Sequence, residues 1–117
     1  GVLDPRHLLD RRGLMAHDGR SDYALAFERF LRTWPDAVGP KTTVIVCGDA
    51  RSHDRRSAAP AMAELARRSR RLYWLDPEPR AEWNLADSDL ALYEMYCTEV
   101  FEVSTLRQLT ESVARIA

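Results

Sequence analysis

The stretch that most constrains this chain is Thr42 to Ser52, Thr-Thr-Val-Ile-Val-Cys-Gly-Asp-Ala-Arg-Ser. Its first six residues are rich in β-branched side chains and show no polar alternation, the pattern of a parallel strand covered on both faces. Gly48 and Asp49 follow at once, so the strand delivers a carboxylate to the loop beyond its carboxyl end. In open α/β sheets ligands sit at that end. The segment therefore predicts a strand over 42–47 and makes Asp49 the first candidate for a metal or polar contact.

The flanking patterns supply layers for such a strand. Asp4 before Pro5 is a helix-start signal, with the helix ending at Gly13. After a polar loop, Tyr23, Phe27, Phe30, Leu31 and Trp34 recur at helical spacing until Pro35. Either Ser21 or Asp22 can cap that helix. A further helix is expected from Ala59 to Ser69, with Met62, Leu65, Ala66 and Ser69 inward and Arg67, Arg68, Arg70 and Arg71 at its C-terminal end, where they complement the helix dipole. Leu72 to Leu75 is the second strand, closed by Asp76-Pro77-Glu78-Pro79. A short helix through Tyr96, with Leu90, Tyr93 and Cys97 inward, leads to a third strand over 99–103. Thr105 and Gln108 form a capping box for a last helix with an apolar stripe of Leu106, Leu109, Val113 and Ile116. The order α-α-β-α-β-α-β-α predicts an α/β layered sheet with parallel crossovers.

The chain has 117 residues, room for one domain at most. A formal net charge of −1 excludes a strong field for nucleic acid or an anionic membrane. Lys41 is the single lysine among 17 cationic residues, a bias that reflects genome composition more simply than function. Cys47 and Cys97 stand far apart and have no metal-ligand spacing, which suits a reduced, cytoplasmic setting. No apolar run reaches the length of a membrane span, and no signal peptide opens the sequence. Three strands are few for a doubly wound sheet, and no strand precedes Thr42 to cover its other edge. That edge invites pairing with another segment or chain.

Several strings resemble the CoxE-like branch of von Willebrand factor A (VWA) domains. They are Val-Ile-Val-Cys-Gly-Asp-Ala-Arg at 44–51, Leu-Tyr-Trp-Leu-Asp-Pro-Glu-Pro-Arg at 72–80, and Tyr-Cys-Thr-Glu-Val-Phe-Glu-Val with Ser-Thr-Leu-Arg-Gln-Leu at 96–109. Gly19-Arg20-Ser21-Asp22-Tyr23 is similar to the second loop of the same family. The resemblance implies a Rossmann-like sheet with a metal-ion-dependent adhesion site (MIDAS) at its C-terminal edge. Such a site takes an Asp-x-Ser-x-Ser motif after the first strand, a Thr or Ser in a second loop, and an Asp after the fourth strand. Ser21 matches the second-loop hydroxyl and Asp49 the last carboxylate. Their oxygen donors suit Mg²⁺. The Asp-x-Ser-x-Ser motif is absent from residues 1–117. The expectation is therefore a partial domain, the C-terminal half of a VWA fold with about three parallel strands, binding Mg²⁺ weakly or not at all by itself.

The resemblance further implies a non-enzymatic interaction domain working with a MoxR-type AAA+ ATPase, as a chaperone in the assembly or maturation of metal-cofactor enzymes such as carbon monoxide dehydrogenase. Arg51, His53, Arg55 and Arg56 border the expected site and are candidates for contacting an acidic partner. Two alternatives stand beside this reading. One is a Mg²⁺-dependent phosphoryl-transfer or nucleotide-binding domain using Asp49, against which the glycine-rich phosphate-binding motifs are absent. The other is a metal-free structural half-domain that pairs through the edge of Thr42 to Cys47. His7, His17 and His53 lack metal spacing and read as surface residues. Tyr73, Trp74 and Trp83 read as packing residues.

Overall fold

A computed structural model describes residues 22–51, 56–83 and 88–117. The helix expected over 4–13 lies outside them, as do Ser21, His53 and Arg55. Helix α1 (Tyr23–Thr33) begins at Asp22, whose carboxylate accepts from the Leu25 amide at 3.0 Å. The aspartate thus makes the cap that Ser21 was equally able to supply. Strands β1 (Thr43–Cys47), β2 (Arg71–Asp76) and β3 (Glu99–Glu102) form one parallel sheet in the order β1-β2-β3. Helices α2 (Ala59–Arg68) and α3 (Leu90–Glu94) make the crossovers, and α4 (Leu106–Ile116) closes the chain. The expected α/β layering is what forms. The chain bends at Pro77 and Glu78 just after β2, and a single 3-10 turn at Arg80–Glu82 follows Pro79.

Side chains alternate across the sheet with period two. Val44, Val46, Leu72, Trp74 and Val100 point to one face, where they meet Tyr23, Phe27 and Phe30 of α1, Met62 and Leu65 of α2, and Leu90 and Tyr93 of α3. Trp74 is the centre of this core, with 0% of its surface exposed. Its ring lies 5.3 Å from Tyr23, 6.2 Å edge-on from Phe27, and 5.4 Å in a stack from Tyr93. Aromatic pairs in such geometries add about 0.5–1.5 kcal/mol each beyond their buried area. Trp83 and Tyr73 are buried as well, in keeping with packing roles.

The second face is thinner. Tyr73, Leu75 and Phe101 form a small cluster with Ile45, Val103 and Ile116. Here β1 departs from expectation. It is an edge strand in the described sheet, and only its Val44 and Val46 side is buried; Ile45 is partly open and Cys47 exposed. A run without polar alternation suits burial on both faces, but α4 lies against β3, and among the described residues the outer side of β1 is only half covered, Ile45 packing on the small cluster and Cys47 standing exposed.

Helix α4 carries its expected capping box, yet of its apolar stripe only Ile116 packs in the sheet cluster. Arg115 pairs with Glu99 at 3.0 Å and Gln108 bonds to Glu102, tying one flank to β3. Buried Ser112 and partly buried Ile116 face inward. With about 3.6 residues per turn, Leu109 lies beside Ile116 at the margin of this side, and Leu106 and Val113 fall farther round the helix, away from Gln108 and Arg115. Leu106 and Val113 are 79% and 54% exposed. A stripe fixes which residues share a side of a helix; the tether to β3 decided which way that side turned.

Candidate functional site

The site is built where β1 and β2 end together. Register pairs Cys47 with Leu75, and the Gly48 amide donates to the Leu75 carbonyl at 3.1 Å, carrying the ladder one step past β1. Buried Trp74 adds a second fastening, donating from Nε1 to the Gly48 carbonyl at 2.8 Å. The core therefore grips the residue that precedes Asp49. Position 48 has no room for a side chain, since a Cβ there would collide with the Tyr23 hydroxyl.

Asp49 is then aimed by its neighbours. The Tyr23 hydroxyl donates to Asp49 Oδ1 at 3.1 Å, and the Arg51 amide donates to the same oxygen at 3.0 Å. Ala50, fully buried, turns the chain with φ at 60°, in the left-handed region. Its amide donates to the Tyr23 oxygen at 3.4 Å, and its carbonyl accepts from the Asp89 amide at 2.8 Å. The other oxygen of Asp49 has no hydrogen bond among the described residues.

Across the strand pair stand Asp76 and Glu78, which the sequence pattern places in the loop that closes β2. Asp76 is completely buried. Its Oδ1 accepts from the Glu78 amide at 2.7 Å, while Oδ2 has no hydrogen-bond partner among the described residues. Burial pushes its carboxyl up to about 6; the nearby charges of Glu78 and Asp49 act in the same direction, and the Glu78 amide and Arg51 against it. The sequence signal was present. Asp76 is the acid that closes the apolar strand β2, as Asp49 is the first acid after β1.

Arg51 joins the two loops. Its Nε and Nη2 donate to Glu78 Oε2 at 3.1 and 3.0 Å, and Nη2 stands 2.9 Å from Oε1, an ion-pair distance without a directed hydrogen bond. The two side chains are only 17% and 25% exposed. Arg56 lies farther out and pairs with Glu28 of α1 at an exposed position. Of the four residues expected to border the site for a partner, Arg51 thus braces it and Arg56 ties the α2 entry to α1. His53 and Arg55 fall outside the described residues.

The chemistry on offer is that of hard oxygen donors. Among the described residues no group of three or more His, Cys, Asp and Glu converges as a ready-made cage. Mg²⁺ does not require one, because it keeps several waters and takes one or two carboxylates. Two carboxylate oxygens without donors among the described residues, at the ends of adjacent parallel strands, fit that requirement. Glu78 offsets the charge that Arg51 brings.

A parallel three-stranded α/β sheet with a carboxylate set at its C-terminal edge defines the class of protein. Residues 2–112 match the family described as VWA domain containing CoxE-like protein, and the chain belongs to that family. No curated protein and no solved structure matches it. Among the described residues no helix is long and apolar enough to cross a membrane.

Proposed function

We propose that the chain is part of a non-enzymatic interaction module whose C-terminal edge engages an acidic side chain of its partner through Mg²⁺. The observation that carries this reading is the setting of Asp49. One oxygen is saturated by Tyr23 and the Arg51 amide, and the other has no donor among the described residues. Ser21, next to the cap of α1, supplies a hydroxyl donor in this reading, and Asp49 holds the ion directly or through water. When bound, Mg²⁺ supplies an open coordination position for a carboxylate. The residues of the chain set its direction, with Tyr23 and Arg51 holding Asp49 and Arg51 locked to Glu78.

Family resemblance supports a MoxR-type AAA+ ATPase as the partner, and assembly or maturation of metal-cofactor enzymes in the cytoplasm as the setting. The test compares the full-length protein with its Asp49→Ala variant for binding to the ATPase across a Mg²⁺ titration. Binding that rises with Mg²⁺ in the wild type and is lost in the variant supports the proposal. Equal, metal-independent binding by both overturns it.

A second reading rests on β1. Its outer ladder is unpaired among the described residues, and one of its faces is only partly covered. The partner along this strand is the N-terminal half of a VWA domain or another chain. An edge of this kind pairs readily with a further strand. Cross-linking from position 45 or 47 in the full-length protein identifies the neighbouring segment, and recovery of unlinked chain alone counts against pairing.

A further inference from the structure

We propose that Asp76 is a second carboxylate of the cation site, facing the ion from the end of β2 while Asp49 faces it from the end of β1. The inference rests on the reading of Asp49 given above and extends it to a residue outside the loops that supply the family's ligands.

Three observations lead to it. The first is position. Register pairs Cys47 with Leu75, and the Gly48 amide carries the ladder one step farther, so Asp76 stands opposite Gly48, the residue just before Asp49, at the same sheet edge. The like charge of Asp49 acts on Asp76 at that separation.

The second is the unsatisfied oxygen. Asp76 is 0% exposed, and its Oδ2 has no hydrogen-bond partner among the described residues. Buried polar atoms are nearly always paired, so an orphaned one calls for a cause. Its sister oxygen makes the turn to Glu78, which fixes the carboxylate in place and points the orphan in one direction.

The third is what the nearby cation does. Arg51 is close enough to influence Asp76, yet its guanidinium grips Glu78 through two nitrogens. A chain needing only to neutralise Asp76 has a cation at hand and uses it elsewhere. With Arg51 committed, Asp76 and Asp49 each keep an oxygen without a donor among the described residues. A small divalent cation of hard-oxygen preference, Mg²⁺ before Ca²⁺, fits two carboxylates completed by water, whereas Ca²⁺ takes six to eight oxygens.

The test uses the full-length protein, stripped of metal at neutral pH, with Mn²⁺ followed by electron paramagnetic resonance and Mg²⁺ as competitor. The wild type is expected to bind one Mn²⁺ that Mg²⁺ displaces. Asp49→Asn abolishes binding, and Asp76→Asn weakens it by about tenfold or more. The melting temperature separates a site role from a structural one: metal-free Asp76→Asn melts at or above the wild type but loses most of the metal-induced rise. Wild-type affinity and a full rise in Asp76→Asn overturn the inference and leave the Asp49 reading standing. A wild type that binds no Mn²⁺ overturns both. If Asp76→Asn does not fold, Asp76→Ser keeps an acceptor for the Glu78 amide and gives the same readout. If neither folds, the Asp76 carboxyl carbon is followed by NMR in the wild type. Its broadening by Mn²⁺ supports the inference, and its indifference overturns it.

Discussion

The hydroxyl of Tyr23, in the first turn of α1, donates a 3.1 Å hydrogen bond to Asp49, 26 residues along the chain. The same oxygen accepts from the Ala50 amide, so one phenol holds both the carboxylate and the turn behind it. Tyr23 also packs on Trp74, which fastens Gly48 from below. The aim of Asp49 is therefore continuous with the packing of the core.

Replacing Tyr23 by Phe removes both bonds and keeps the ring. It leaves the buried Ala50 amide without its acceptor, at a cost of about 1–2 kcal/mol in unfolding free energy. Urea denaturation measures this directly. A change below a few tenths of a kcal/mol means that the hydroxyl is not needed to hold the turn.

Arg51 and Glu78 act as one brace between the loops after β1 and β2. A double-mutant cycle with Arg51→Ala and Glu78→Gln is expected to give a coupling of about 1–2 kcal/mol, because both groups are largely shielded from water. The exposed Arg56–Glu28 pair is the internal control, and its coupling stays under about 1 kcal/mol. Equal couplings would refute the brace.

Asp76 makes stability depend on pH in an unusual direction. Burial raises its carboxyl to about 6 from 3.8, so the folded chain holds a proton that the unfolded chain has released. The associated stability is complete below the unfolded value and is lost as pH rises through about 6. By linkage the loss amounts to about 3 kcal/mol at most. In metal-free buffer, denaturation of the wild type at pH values on either side of this window reveals the decline, and Asp76→Asn removes it. The same decline in both proteins assigns it to other groups.

The local signals were legible in the sequence, and the reasons are physical. Asp22 and the Thr105–Gln108 box work within one helical turn, so their spacing alone describes them. The apolar run of β2 is buried on both faces and reads as such. The direction of α4 depends on Arg115 meeting Glu99 and Gln108 meeting Glu102, contacts that no periodicity contains. The candidate site divides in the same way. Asp49 is announced by the strand before it, whereas Tyr23, Arg51–Glu78 and Asp76 join it through register and packing between distant segments.

The two cysteines report on the bare side of the sheet. Burial pushes the Cys97 thiol up to about 12, with Glu94 adding to the effect, so it resists alkylation near neutral pH. Burial raises Cys47 as well, but that residue is exposed on the outer side of β1. In this chain alone Cys47 is expected to label faster than Cys97. A segment or partner covering β1 suppresses that labelling in the full-length protein, as mass spectrometry of the labelled peptides will show. Unchanged labelling of Cys47 there means that the outer side of β1 stays open.

The left-handed turn at Ala50 has a consequence for time as well as shape. An alanine at φ 60° costs about 1–2 kcal/mol relative to a right-handed turn, and this one is fully enclosed. It is clamped by α1 through Tyr23 and by the start of α3 through the Asp89 amide. The loop has no small motion that relieves it, because freeing the alanine means parting two helices from the strand end. The Ala50 and Asp89 amides will then take up deuterium together, at the pace of the core's own opening rather than of a surface loop. Whatever ion or partner meets this edge meets a surface renewed only when the whole sheet breathes.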